Sequence, residues 1–303
     1  MKKFINILIF FTIIFIIFLY SSEITEGIRF SFTLCINHVF PSLIPFMLLS
    51  NILINFGSID DLADIFNLIM KLFKVNKNVS FAFVMSILSG SPSNAVYLKN
   101  LYDNNLIRIS DLNKSLYFCH FANPIFVIST VGYTFLNSKK IGLIILFSTY
   151  ISSFLIGIIG KRDTTLITNN KRENNKVNFI LVLKQSIKAT IDTLLLILGI
   201  ITMCIIITSA LNNILNIDNN FKFMYGLLEI TQGLKYLSLN NLNINIKAVL
   251  ASFLISFGGL CIHAQVFSII DNKKVRYLPY FIFRIIHGLL SALITFILIV
   301  MFL

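Results

Sequence analysis

Two short polar kernels stand inside otherwise apolar sequence, and most of the chemistry open to this chain lies in them. The first is Gly90-Ser91-Pro92-Ser93-Asn94, flanked by apolar residues from Phe81 to Leu88 and from Ala95 to Leu98. The second is Gly258-Gly259, with His263 and Gln265 just behind it. Ser91 followed by Pro92 is a good N-cap and first-position pair for a helix. The unpaired N–H groups at such a helix start suit an anion, and Ser91, Ser93 and Asn94 would add side-chain donors. A helix starting after Gly259 would offer the same. The plain alternative is a cap and a packed turn at each place.

Asn123 precedes Pro124, so it either binds substrate or repairs the kink that proline makes. His263 is either a ligand contact or an interhelical hydrogen bonder. Glu229 stands inside an apolar segment and can couple transport to protons or cations, or pair with Arg284. Arg284 and His287 are three residues apart on one helix face. Arg284 can receive a carboxylate in fork geometry, or hold Glu229. No carboxylate pair or nucleophile–base set suggests an enzyme. Cys35 and His38, Cys119 and His120, and Cys261 and His263 are neighbours, but none has a second pair at structural zinc spacing. No metal site and no cofactor is expected.

These residues must be positioned inside a membrane. The chain of 303 residues is 56% hydrophobic and 13% charged, with a mean hydropathy of +0.85. Its long apolar runs exclude both a soluble domain and an alternating β-barrel. The net charge of +12 fits cytoplasmic loops and anionic headgroups rather than nucleic acid. The four cysteines sit in apolar surroundings without a CxxC pair and read as inert thiols.

In chain order, Met1 to Tyr20 reads as an uncleaved first span and Ser21 to Arg29 as a polar loop. Ile28 to Asn55 reads as a span broken by Pro41 and Pro45, and Ile59 to Lys77 as an amphipathic interfacial helix. Phe81 to Leu106 reads as a re-entrant hairpin, since neither apolar flank approaches the ~20 residues of a full crossing. Leu116 to Leu136, Ile141 to Gly160, Ile187 to Leu211 and Tyr277 to Leu303 read as further spans, and Ala248 to Ile270, with Gly258-Gly259 at its centre, as the second hairpin. Phe221 to Leu239 is moderately apolar. The division is an N-terminal transmembrane segment over 1–27, a first repeat over 28–160, a basic cytoplasmic linker over 161–178 and a second repeat over 179–303.

Phe81–Ala95 can be laid over Leu250–Ala264, each an interrupted apolar segment, which is a sequence pointer to a transporter site. With Lys2 and Lys3 cytoplasmic and both hairpins returning to their own side, the two halves are inverted and the basic residues favour the cytoplasmic side. Lys273, Lys274 and Arg276 fall on the outer side and are the misfit.

Three stretches resemble the sporulation integral membrane proteins of the YlbJ type, which carry nucleoside-recognition (Gate) domains. They are Ser89–Ala95, Phe121–Ile128 leading to Val131-Gly132, and Phe257–Gln265 preceded by Glu229–Gly233. This chain departs from the family pattern at Ser91, Asn94 and Ala122-Asn123, which touches substrate identity more than architecture. The resemblance implies a transporter-like fold with two Gate repeats that passes dipicolinate from mother cell to forespore.

The expectation is therefore an all-α polytopic membrane protein of two inverted repeats, each with a re-entrant helical hairpin. It is a transporter or facilitator for a small anionic heterocycle, dipicolinate by resemblance, and not an enzyme. The substrate-binding set is Ser91, Ser93, Asn94, Asn123, Gly258, Gly259, His263 and Gln265, with Glu229 and Arg284 as charge partners. A small anion and membrane lipids are its partners, nucleic acid is not, and a homo-oligomer stays open. The rivals are a nucleoside or other neutral-cargo carrier and a non-transporting scaffold for spore-envelope assembly.

Overall fold

The computed structural model describes residues 11, 15, 18–56, 60–159, 178–215 and 217–303, which form helices and turns and, among the described residues, no strand. Helices α1 (Ser21–Leu34) and α2 (Phe40–Phe56) run on through a π turn at Cys35–Val39. Then come α3 (Val79–Ser89), α4 (Ser93–Asp103), α5 (Ile109–Phe118), a π segment Phe126–Phe135 and α6 (Lys139–Ile158). The second half holds α7 (Phe179–Leu215), a 3-10 segment Asn219–Leu227, α8 (Ile230–Leu239), α9 (Ile244–Phe257), α10 (Gly259–Ile270) and α11 (Tyr277–Phe302). Five stretches are long and apolar enough to cross a membrane: Ser21–Phe56, Lys139–Ile158, Phe179–Asn212, Ile244–Ile270 and Tyr277–Phe302.

The helices face lipid with bulk and one another with small or hydroxyl-bearing groups. On α6, Leu143, Phe147, Ile151 and Leu155 are exposed at a four-residue spacing, while Ser148, Thr149, Ser152 and Ser153 are buried. Lipid tails are as apolar as leucine, so close approach and internal hydrogen bonds select the inner face. Ser31 and Thr202 do the same where α1 crosses α7, their hydroxyl oxygens 2.8 Å apart.

Contacts fix the direction of each element. Gly27 abuts Ser209 and Phe56 stacks near Phe179, so α1–α2 and α7 are antiparallel. Call the Phe56 end lower and the Ser21 end upper. Segment 79–103 leaves the lower end and returns to it: Asn78 Nδ2 donates to the Leu106 carbonyl at 3.0 Å, and α3 packs along α4. The chain then climbs through α5 and the π segment, and descends in α6, whose Gly157 meets Phe73. From the top of α7, segment 219–239 dips and returns; Asn240 Nδ2 donates to the Asn220 carbonyl at 2.8 Å. Next, α9 starts beside it, with Lys247 Nζ on the Ser238 carbonyl, and α10 finishes at the lower end, where Lys99 Nζ approaches the Ile270 carbonyl. Finally α11 climbs to Phe302, whose carbonyl accepts from Lys140 Nζ at 2.7 Å.

Several expectations change. Ser21 to Arg29 is helix, because the apolar face of α1 carrying Ile24 packs on α7. The span broken by Pro41 and Pro45 stays helical; Pro45 lies inside α2, and the π turn ahead of Pro41 leaves room for its ring. Ile59 to Lys77 is two short helices, Asp60–Ile65 and Asn67–Leu72, rather than one. Leu116 to Leu136 is not one helix: it is open at 119–123. Segment 244–270 is interrupted but crosses from end to end, so it is no hairpin. Lys273, Lys274 and Arg276 therefore lie at the lower end with the base of 79–103, where Asn113 Nδ2 reaches the Lys274 carbonyl. Met1 to Tyr20 and the linker 161–178 fall almost wholly outside the described residues.

Candidate functional site

Four interruptions meet at mid-depth. At the first, Gly90 takes φ +82°, and a Cβ there would lie 2.5 Å from the Asn123 backbone nitrogen. Only glycine fits both demands. The second is 119–123, the third Leu228-Glu229 and the fourth Gly258-Gly259, both left-handed with φ +87° and +63°. Two backbone bonds tie them in pairs: Ser91 N–H to the Phe121 carbonyl and Cys261 N–H to the Leu228 carbonyl, 2.8 and 2.9 Å.

His120 joins the pairs. Its Nδ1 lies 3.0 Å from Ser91 Oγ, and the Cε1–Nε2 edge of its ring fills the space over Gly258. With its hydrogen on Nε2, the ring accepts from the Ser91 hydroxyl at Nδ1. Ser91 therefore serves the imidazole instead of capping α4, which starts two residues later at Ser93.

An interrupted helix frees carbonyls that lipid cannot satisfy. The last span of each half supplies the donors. Tyr150 on α6 donates to the Ile87 and Ala122 carbonyls at 2.8 and 3.2 Å, and Ser153 to Phe118 at 2.6 Å. On α11, Arg284 donates to the Tyr117 carbonyl and lies 3.0 Å from His287 Nδ1. His287 Nε2 donates to the Thr149 carbonyl at 3.1 Å.

A cavity of about 290 Å³ lies among the four interruptions. Ser91, Pro92 and His120–Asn123 line one wall, Glu229 and Thr231 another, and Cys261 and Gln265 a third. Asn37, His38 and Pro41, all exposed, form its mouth beside the π turn. Of the substrate-binding set, the cavity brings together Ser91, Asn123 and Gln265, and it adds Glu229.

The others lie elsewhere. Ser93 is buried and bonds Ser89 and Gly90. Asn94 is fully buried with neither side-chain atom partnered among the described residues. Gly258 and Gly259 shape the turn behind the cavity wall. His263 points to the Phe257 carbonyl at 2.9 Å and the Tyr277 hydroxyl at 3.3 Å. Glu229 and Arg284 do not meet: Glu229 caps α8 through Thr231 and Gln232, and Arg284 stands on the α5 end.

Sequence reading missed His38, Asn37, His120 and Thr231 as cavity residues. The signal for His120 was its place beside Asn123-Pro124, where a helix must open. Asn123 does the expected repair: its Oδ1 accepts from Ile125 and Phe126 N–H at 2.9 and 3.1 Å, and its Nδ2 donates to Ser89 at 3.2 Å. Among the described residues, no three His, Cys, Asp or Glu side chains group as metal ligands.

Long apolar helices with interruptions around a cavity that carries a few polar groups define a multi-pass integral membrane protein. The chain is similar to the sporulation integral membrane protein YlbJ of Bacillus subtilis (strain 168), 24% identical over 86% of this chain and 74% of that protein. That similarity supports the YlbJ-type resemblance along most of the chain. No family model matches, and no solved structure matches.

Proposed function

We propose that this chain is a membrane carrier for a small heterocyclic anion, and that in a sporulating cell its cargo is dipicolinate moving from mother cell to forespore. The observation that carries the reading is the convergence of four interruptions on one mainly apolar cavity that holds a few polar groups. Backbone leaves helical form at membrane depth only where protein buries it or a cavity needs it, and carriers place their sites at such breaks.

The reading takes the halves as inverted repeats and the two fold-back segments as re-entrant hairpins. Segment 79–103 then corresponds to 219–239, and the broken crossing 109–135 to 244–270, in place of Phe81–Ala95 over Leu250–Ala264. What supports this pairing is the order of elements. Each half has a long helix, a fold-back segment based at that helix's far end, a crossing broken at mid-depth, and a closing span that repairs the breaks. Two such halves rocking about the cavity give alternating access.

One observation favours a second reading, a neutral heterocycle such as a nucleoside. Among the described residues, the wall holds Glu229 and no Lys or Arg. Two like unit charges about 6 Å apart at an effective dielectric of about 20 repel by roughly 3 kcal/mol. That is about a hundredfold in affinity, so an anion binds well only if Glu229 is neutralised. Purified protein in liposomes, offered labelled dipicolinate and labelled nucleosides, decides between them. Saturable dipicolinate uptake that nucleosides do not compete away is expected; preference for a nucleoside transfers the cargo to the second reading. Uptake of neither, in protein shown to be folded, removes the carrier reading.

A further inference from the structure

The cavity wall contains a carboxylate with no cation paired to it among the described residues. Glu229 is 3% exposed, and the ion pairs among the described residues, Lys77–Asp64 and Lys99–Asp103, are far from it at the lower end. Its Oε1 accepts from Thr231 N and Oγ1 at 3.1 and 2.9 Å. Its Oε2 accepts from Gln232 N at 2.8 Å and keeps a lone pair free of any further protein donor. Burial works against the charged form of this carboxylate, and three donors at a helix start favour it. An anion entering the same enclosure opposes that form, and a proton on the carboxylate is the relief that needs no other charge.

We propose that Glu229 takes a proton at Oε2 when an anionic cargo occupies the cavity and gives it up when the cargo leaves, so that the carrier moves one proton with each anion in the same direction. The inference rests on the carrier reading and extends it to the driving force. Protonated, Oε2 changes from acceptor to donor and can hold a cargo carboxylate, while Oε1 still caps α8. A monoanion with its proton crosses without net charge; a dianion carries one negative charge across.

The titratable groups around Glu229 come from four elements: Cys35 and His38 of the π turn, Cys204 of α7, Cys261 of α10 and His120 of the 119–123 opening. An imidazole can carry a proton in its own right, so the test must separate the histidines from the carboxylate.

The test uses the full chain in liposomes loaded with a pH-sensitive dye, labelled dipicolinate as probe, and protein-free liposomes as the blank for passive acid entry. The readouts are the ratio of uptake with an inward proton gradient to uptake without one, and acidification of the lumen as cargo enters. For the native protein a ratio of several-fold and cargo-dependent acidification are expected. In Glu229→Gln the ratio falls to about one and acidification stops, whereas Glu229→Asp and His38→Gln keep both. A native ratio of one with uptake present overturns this inference and leaves the carrier reading standing. So does a Glu229→Gln protein that still acidifies the lumen, or a response lost in His38→Gln and kept in Glu229→Gln. Native protein that takes up no dipicolinate at all overturns both. Should Glu229→Gln fail to fold, native acidification together with the Glu229→Asp result decides.

Discussion

At the scale of single residues, His120 links three of the interruptions: it stands in the second, bonds the Ser91 hydroxyl at the first and covers Gly258 at the fourth. Replacing it with alanine removes the partner of the Ser91 hydroxyl and leaves a void over Gly258. His120→Ala should therefore lower stability by about 1–3 kcal/mol, read as a lower melting temperature in detergent, and should cut cargo uptake further than stability alone. An unchanged melting temperature would show that the bridge carries no energy. Gly90 allows a sharper contrast. Gly90→Ala must place a Cβ 2.5 Å from backbone, at φ +82°, and should leave little folded protein. Gly199→Ala, in α7 with nothing within 4 Å of the added carbon, should be neutral or stabilising by about 0.5–1 kcal/mol. Equal yields of the two proteins would refute the geometry. The sequence made Gly90 and Asn123 legible, since a glycine inside an apolar run and an asparagine before proline each mark a place where a helix opens. It hid Glu229 as a helix cap and Arg284 as a carbonyl donor. Both look like charge partners until the distance between their elements is known.

At the scale of elements, interruption was legible and direction was not. Gly258-Gly259 advertises a break, and a break between short apolar runs reads equally as a hairpin or as a kinked crossing. What separates them is where the far end goes, and that depends on contacts such as Lys99 to Ile270. The second fold-back segment, 219–239, carries a weaker mark: no proline, and a polar kernel of Glu229 to Gly233 that resembles an ordinary amphipathic turn. Its two arms touch at Gly226 and Gly233, where a Cβ on Gly233 would come within 2.1 Å of the Gly226 Cα. Gly233→Ala must spread the arms. It should cost more than the 1–3 kcal/mol usual for overpacking, because backbone rather than a flexible side chain stands in the way. Since Glu229 sits at the tip of the same segment, cargo binding should weaken with it. A Gly233→Ala protein of native melting temperature and native dipicolinate affinity would mean that the arms do not pack as described.

At the scale of the molecule, the basic residues set the orientation once every segment has a direction. The lower end gathers Lys71, Lys74, Lys99, Lys114, Lys184, Lys188, Lys273, Lys274 and Arg276, and the 161–178 linker joins two helices that both end there. The upper end holds Arg29, Lys139, Lys140, Lys222, Lys235 and Lys247. Moving the 273–276 cluster to the lower end removes the one misfit in the sequence-based count, so the lower end should face the cytoplasm. It also makes two chain reversals testable without knowledge of the cargo. Lys71→Cys and Asp103→Cys bracket the first fold-back segment and should react with an impermeant thiol reagent only from the cytoplasmic side, as should Lys273→Cys. Lys139→Cys and Asn241→Cys should react only from the other side. The native thiols at Cys35, Cys119 and Cys261 are buried and Cys204 is half-buried inside α7, so the native chain is run as the blank and any labelling of Cys204 is subtracted. Labelling of positions 71 and 103 from opposite sides would turn segment 79–103 into a crossing. Labelling of 273 with 241 would restore 244–270 as a hairpin. Either outcome would separate the interruptions from a common cavity and take the carrier mechanism with it.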